Sequence, residues 1–181
     1  MAKGSRGGKR NSLFGGQSQD HRNNSTPDLP AKMNKLYNGN EMSLSHTQEV
    51  FMNKHQNSKT EHAIMYDDDG FVSTYVHGNS GSVGFTASQV EGKNMIHNHP
   101  SGGWSNFSQA DLESFSTTGM KSLTATSSKA TYTIKKGNKF DSAGFVKAIN
   151  SAKTTETDYD KAVDSFLKRN ASKYGYSYSA S

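Results

Sequence analysis

The sequence predicts an α+β domain of three layers, in which a mixed β-sheet is flanked by helices, behind a disordered N-terminal tail. Two observations carry this prediction. Helical and strand-like patterns are interspersed from residue 41 onward, and residues 1–40 are poor in apolar side chains. With 181 residues, 31% of them hydrophobic, the chain is expected to form one modest core with loose ends. We therefore divide it into a tail over 1–40 and a domain over 41–181.

The tail holds all of the chain's excess positive charge. Seven basic and two acidic residues within 1–40 give +5, while the remaining 14 basic and 14 acidic residues cancel. Gly, Ser and Asn dominate the tail, so it has too little apolar surface to offset the entropy of ordering. It is either a nucleic-acid-binding arm or a solubilising extension without a partner. The residues expected to contact DNA phosphates are Lys3, Arg6, Lys9, Arg10 and Arg22.

The first part of the domain is predicted to hold a helix and a β-hairpin. The apolar spacing over 41–57, behind a Ser43 or Ser45 cap, favours an amphipathic helix of about three turns. Two β-rich runs within 61–78 flank an Asp-Asp-Asp-Gly turn, which is typical of a hairpin. A third short strand is expected near 82–86.

The rest of the domain is predicted to alternate between strands and helices. In chain order we expect a short helical turn within 86–92, a buried strand through Met95 and Ile96, a helix over 108–116, a strand or hairpin over 122–136, and helices over 141–153 and 158–175. Gly175 is placed to cap the last helix.

The stretch HNHPSGGWSNFSQADL, residues 97–112, gathers the residue types of a metal site. Residues i and i+2 of a strand point to the same side, so His97 and His99 present both rings to one point. Asp111, at the start of the next helix, can supply a third ligand. The chain has no cysteine, so histidine and carboxylate would have to hold any zinc. Two nitrogens and one oxygen leave a fourth position for water, which is typical of a catalytic site.

A structural interpretation of the same residues stands beside the chemical one. Ser108-x-x-Asp111 is also an ordinary helix start, with Ser108 capping the first turn and Asp111 favoured there by the helix dipole. A His-x-His pair alone is common in exposed loops. The conjunction of both patterns around one turn favours the metal site.

This stretch resembles the signature of the JAMM (MPN+) metallopeptidase family, in which His-x-His-Pro precedes Ser-x-x-Asp and a glutamate lies far upstream. The hexad HNHPSG is especially close to the RadC-like branch. The resemblance implies a zinc site of His97, His99 and Asp111, water activated by the glutamate, and Ser108 stabilising an oxyanion. Eight residues, 100–107, separate His99 from Ser108, one more than the family pattern has.

Glu61 is the upstream carboxylate that we select. It begins a predicted strand directly after the first helix, where the family places its glutamate. Two alternatives are Glu49, which lies within the predicted helix, and Glu91, which lies in the turn before the histidine strand. The implied reaction is zinc-dependent hydrolysis of a peptide or isopeptide bond in a protein substrate.

A second hypothesis keeps the fold without the activity. A basic tail on a compact body also suits a virion or DNA-associated protein with a vestigial or structural metal site, similar to small phage proteins encoded near head and tail genes. No run of about 18 apolar residues and no signal peptide is present, so no membrane partner is expected and the protein is predicted to be cytoplasmic or virion-associated. Zinc content with peptidase activity favours the first hypothesis, and salt-sensitive DNA retention through the tail favours the second.

Overall fold

A six-stranded mixed β-sheet is the centre of the structure, a computed structural model that describes residues 10–14 and 43–181. The strands are β1 (Asn11–Ser12), β2 (His62–Tyr66), β3 (Val72–His77), β4 (Asn94–Asn98), β5 (Ser122–Thr126), β6 (Thr131–Lys136), β7 (Lys153–Thr154) and β8 (Tyr176–Ala180). The order in the sheet is β3-β2-β4-β5-β6-β8, and only β4 and β5 run parallel. The short strands β1 and β7 form a separate antiparallel pair.

Five helices in the described part of the chain cover this sheet. They are α1 (Leu44–His55), α2 (Ala87–Val90), α3 (Gln109–Thr117), α4 (Ser142–Ser151) and α5 (Tyr159–Tyr174). Side-chain caps begin each of them, and Ser43 is the residue that caps α1, accepting a hydrogen bond from the His46 amide at 3.2 Å. Gly175 ends α5 in the left-handed conformation, with φ of 74°.

The two faces of the sheet bury different helices. Antiparallel partners share a face, so the pairing of Ala63 with His97 places both side chains on one side and that of Ile64 with Ile96 places both on the other. The Ala63 side packs against α3, α4 and α5, and the Ile64 side packs against Phe51 of α1. The predicted α+β class, a mixed sheet flanked by helices, is confirmed.

Most predicted elements of the domain are present, and two differences stand out. The strand predicted near 82–86 is wrong: these residues form no strand, the Asn79 side chain accepts from the Ser82 amide and turns the chain, and Val83 is buried in the core. The prediction failed because an extended segment that buries one apolar residue has the same sequence pattern as a short strand. The second difference is β8, which was not predicted although Tyr176 and Tyr178 alternate with serines there.

The described piece of the tail is ordered. Residues Asn11 and Ser12 pair with β7, and Leu13 and Phe14 are buried against the core. Residues 10–14 are therefore an exception to the predicted disorder, because two adjacent large apolar side chains find a docking place. Among the residues predicted to bind DNA, Arg10 is described, whereas Lys3, Arg6, Lys9 and Arg22 lie outside the described residues. None of the helices in the described ranges has the length and apolar character needed to cross a bilayer.

Candidate metal centre

His97, in strand β4, and His99, the residue directly after that strand, lie together, as their i, i+2 spacing predicts. Their Nε2 atoms lie 2.9 Å apart, and the residues are only 1% and 9% exposed. The strand is central in the sheet, between β2 and β5, which fixes the direction of both rings. Two imidazole nitrogens are thus held at one buried point.

Asp111 joins the pair from the first turn of α3. Its Oδ1 lies 3.3 Å from Nε2 of His97, and its Oδ2 lies 3.4 Å from Nε2 of His99. Ligand atoms around a tetrahedral zinc ion, each about 2.0–2.1 Å from it, are about 3.3 Å from one another. Within residues 10–14 and 43–181 this is the one group of three histidine or acidic side chains that could hold a metal ion.

The predicted helix cap of Ser108 and Asp111 is present, and Asp111 also belongs to the group that could hold a metal ion. The Ser108 hydroxyl accepts from the Asp111 amide at 3.1 Å, and the Asp111 carboxylate accepts from the Ser108 amide at 2.8 Å. This reciprocal capping box fixes the carboxylate while it faces the histidines. The start of α3 therefore positions the Asp111 carboxylate beside the two histidines.

A backbone carbonyl orients the second histidine. Nδ1 of His99 lies 3.1 Å from the carbonyl oxygen of Ser105. A carbonyl can only accept, so Nδ1 carries the hydrogen and, in the neutral ring, Nε2 offers its lone pair toward Asp111 and His97. This is the arrangement that metal-binding histidines commonly have.

The electrostatics of the group favour a cation. Burial by itself would raise the pKa of Asp111, but the His97 and His99 rings hold it well below its usual value of 3.8. Burial also opposes charge on His99, whereas the Asp111 and Glu61 carboxylates and the Ser105 carbonyl raise its pKa above 6.5. A buried carboxylate anion that needs positive charge beside it is a suitable metal ligand.

Glu61 lies at the same pocket, immediately before β2. Its amide donates to the Asn79 carbonyl and its carbonyl accepts from the Gly78 amide, both at 2.8 Å. Asn98, whose side chain points away from the metal group, accepts from the His62 amide at 2.7 Å and donates to the Thr60 carbonyl at 2.9 Å. The backbone on each side of Glu61 is thus fixed to the histidine strand.

Glu61 as a whole residue is 9% exposed, and the proton affinity of its carboxyl group is shifted accordingly. Burial raises its pKa from 4.5 to about 7, with a smaller lowering by His99 and a further rise from Asp111. A carboxyl group that titrates near neutrality can take up and release a proton at physiological pH. The two alternative glutamates of the sequence analysis do not lie at this pocket. Glu49 is exposed on α1, and Glu91 is exposed at the end of α2.

An open pocket of about 460 Å³ lies over these residues. Glu61, His99, Ser108 and Asp111 line it, together with the turn from Pro100 to Gly103 and Trp104. Trp104 is 60% exposed and stacks on Tyr159, with ring centroids 4.1 Å apart. The eight-residue turn does not draw Asp111 away from the histidines, and the predicted residues His97, His99, Asp111, Glu61 and Ser108 converge.

Sequence reasoning missed the residues that support this site from a distance. Asn98 acts through its side-chain amide, which binds the backbone on both sides of Glu61, and Ser105 acts through its backbone carbonyl. Tyr159 and Asp160 of α5 contact the turn between His99 and Ser108. No periodicity or motif in the sequence marks them, since their contacts join segments far apart in the chain.

Comparison with known proteins adds no identification. No family model, no curated protein and no solved structure matches this chain.

Proposed function

We propose that this chain is a zinc-dependent peptidase or isopeptidase of the JAMM type. The observation that carries the proposal is the convergence of three buried ligand atoms, from His97, His99 and Asp111, with Glu61 at one open pocket. The resemblance of residues 97–112 to the JAMM signature agrees with this arrangement but was read from the sequence alone. The reaction class follows from the chemistry of the donor set and the adjoining carboxyl group.

Zinc is the metal that the donor set suits best. Two neutral imidazoles and one carboxylate form a mixed nitrogen and oxygen set, and their ligand atoms all lie within 4.8 Å of one another, close enough to share one zinc ion. Three protein ligands leave one position open, as in catalytic zinc sites. When bound there, zinc lowers the pKa of water and polarises a carbonyl group.

Glu61 acts as the general base and then the general acid in this proposal. Its carboxylate takes the proton from the attacking water, and it returns that proton to the nitrogen that leaves when the amide bond breaks. Its backbone hydrogen bonds to Gly78 and Asn79 fix the position from which its side chain reaches the pocket. Among the described residues that line the pocket, Glu61 is a carboxyl group outside the metal group whose pKa lies near neutrality, so it can both accept and return a proton.

Ser108 stabilises the negative charge that develops on the carbonyl oxygen. Its oxygen accepts the Asp111 amide hydrogen at 3.1 Å, so the hydroxyl hydrogen is left to donate into the pocket. A positioned donor of this kind strengthens its hydrogen bond as the substrate oxygen becomes an oxyanion. The capping role and the catalytic role use different parts of the same hydroxyl group.

The proposal is tested by zinc analysis followed by a search for cleavage. Purified protein is expected to hold about one equivalent of zinc, measured by elemental analysis, and to generate new peptide termini in a peptide library or in candidate protein substrates, detected by mass spectrometry. Cleavage should stop on chelation and return when zinc is added. Stoichiometric zinc without cleavage of any substrate would instead favour the vestigial or structural site.

DNA binding by the basic tail is a separate proposal, which the location of the net charge supports. If about five phosphates are neutralised, the logarithm of the binding constant should fall against the logarithm of salt concentration with a slope near −4 to −5. Replacing Lys3, Arg6, Lys9 and Arg22 by Gln in the full chain should remove most of that slope. Four exposed lysines of the domain, Lys129, Lys139, Lys147 and Lys161, provide the matched control, and equal losses in both variants would contradict a tail-specific contact.

A further inference from the structure

The turn between His99 and Ser108 is held from outside the metal site by the first turn of α5. Its backbone amides at Ser105 and Asn106 both donate to the Asp160 carboxylate, at 2.9 Å to the same oxygen. The Ser105 amide is also 3.2 Å from the second oxygen of Asp160. One carboxylate thus fixes two successive peptide groups of the turn.

Other contacts from the same part of the molecule surround this carboxylate. The Asn106 side chain donates to the Asp160 carbonyl at 3.2 Å and to the Tyr178 hydroxyl at 3.1 Å. Tyr159 stacks on Trp104 and donates its hydroxyl hydrogen to the Phe107 carbonyl at 2.8 Å. The turn is therefore held at four successive residues, although 55 positions separate Ser105 from Asp160 in the chain.

The held segment is the one that orients a metal ligand. The Ser105 amide nitrogen binds Asp160, while the carbonyl of the same residue accepts from Nδ1 of His99 at 3.1 Å. A displacement of this residue would rotate the His99 ring and would move Ser108, which begins α3 three positions later. Because hydrogen bonds to ionised carboxylates are stronger than neutral ones, Asp160 is the contact best able to prevent that displacement.

We infer that Asp160 is a positioning residue of the metal centre, acting on His99 through the Ser105 peptide group. This inference rests on the proposed zinc site and extends it to a residue of α5 that lies outside the signature. It also gives a physical reason why the turn tolerates one residue more than the JAMM pattern. A shorter turn would have less conformational freedom, whereas this longer turn is held in place by its contacts with α5. Outer contacts to histidine ligands typically change metal affinity 10- to 100-fold when removed.

The test is Asp160→Asn in the full chain, compared with Asp164→Asn. The control lies one turn further along α5, where its carboxylate accepts from the Tyr178 hydroxyl and pairs with Lys168. Zinc affinity, measured by competition with a fluorescent chelator, is expected to fall about 10- to 100-fold in Asp160→Asn and to stay within about twofold in Asp164→Asn. The visible absorption of bound Co²⁺ should also change in Asp160→Asn alone, because it reports the ligand geometry.

A metal-free measurement separates positioning from general loss of structure. Amide hydrogen exchange at Ser105 and Asn106 is expected to accelerate in apo Asp160→Asn, while exchange in β4 stays as in the wild type. If Asp160→Asn does not fold, Tyr159→Phe keeps the ring stack and removes only the hydrogen bond to Phe107, and about a 3- to 10-fold loss of zinc affinity is expected.

Two results would overturn the inference while leaving the zinc site intact. The first is wild-type affinity and an unchanged Co²⁺ spectrum in Asp160→Asn, or in Tyr159→Phe if that variant has to replace it. The second is an equal loss in Asp164→Asn, which would indicate a general effect of α5. A wild-type protein that binds no zinc would overturn the proposed metal centre itself, and amide exchange would then show only whether Asp160 fixes the turn.

Discussion

Two groups of histidines lie on opposite faces of the same sheet, and they differ in their partners. The metal group, His97 and His99, faces α3 and meets Asp111. The histidine stack, formed by His55, His62 and His77, lies on the α1 side. Its neighbouring rings are parallel within about 21°, with centroids 4.2 Å and 4.5 Å apart. Histidine number alone would favour the stack as a metal site, yet its ring nitrogens do not converge on one point.

The partners of the stack are hydroxyl groups. His62 contacts the Tyr75 hydroxyl at 2.8 Å and the Ser58 hydroxyl at 3.0 Å, and Thr60 lies 3.1 Å from His77. Hydroxyl groups can donate to or accept from an imidazole, but they carry no negative charge to balance an imidazolium or a metal cation. Burial first, and then unfavourable electrostatic interactions with His62, Lys54 and His77, lower the pKa of His55 from 6.5 to about 4. A carboxylate delivered by a helix start is what distinguishes the metal group from the stack.

The largest expected effect is on metal binding, in which the metal group and the histidine stack should differ most. His97→Ala or His99→Ala should weaken zinc binding by more than about 100-fold, beyond the loss typical of an outer contact, because two remaining ligands compete poorly with water. His62→Ala and His77→Ala should bind zinc as the wild type does. Elemental analysis and chelator competition measure both. Full zinc occupancy in a His97→Ala, His99→Ala double variant would refute the site assignment.

The next effect concerns the second carboxyl group of the pocket, which has no counterpart in the stack. Glu61→Gln should retain zinc, since Glu61 is not a ligand in this proposal, and should lower kcat about 10²- to 10⁴-fold by removing the general base. Glu49→Gln and Glu91→Gln are the matched controls and should leave kcat unchanged. Retained cleavage in Glu61→Gln with loss in either control would show that another carboxylate is the base.

A somewhat smaller effect is expected at Ser108, where catalysis and capping coincide. Ser108→Ala should lower kcat about 10²- to 10³-fold and destabilise the fold by about 1 kcal/mol through the lost cap. Thr86→Ala removes the corresponding capping box of α2 and should cost stability without affecting kcat. Kinetics and urea unfolding on both variants separate the two roles. An equal loss of kcat in both would reduce Ser108 to a structural residue.

The smallest effect tests the stack and is a pH dependence of stability. The folded pKa of His55, about 4, lies below its unfolded value of 6.5, so the unfolded chain binds more protons between these values and stability falls as pH drops below 6.5. His55 is only partly buried, and we expect about 1 kcal/mol between pH 7.5 and pH 5 after allowance for solvent screening. Urea unfolding of apo wild type and His55→Phe, which keeps a flat ring without titration, measures the difference. Identical pH profiles would exclude a neutral His55.

The best-predicted part of the site is the part that is local in the chain. The i, i+2 spacing of His97 and His99 in a strand fixes their common side, and the Ser108-Asp111 capping box fixes the carboxylate at a helix start. Both patterns depend on backbone geometry within a few residues. Glu61 was selected because it begins a strand after the first helix, and the structure places it at the pocket.

The local chemistry of the sequence by itself determined the strands and helices that carry the ligands, and the pairing of imidazoles with a carboxylate. Only the tertiary structure decided which face of the sheet each histidine group occupies. It also decided that Leu13 and Phe14 pack on the core and that β8 forms the edge of the sheet beside β6. It alone brought Asp160 to the Ser105 amide. The physical reason is that periodicity encodes the neighbours a residue has along its own element, whereas partners from distant segments are set by packing, which no single stretch of sequence contains.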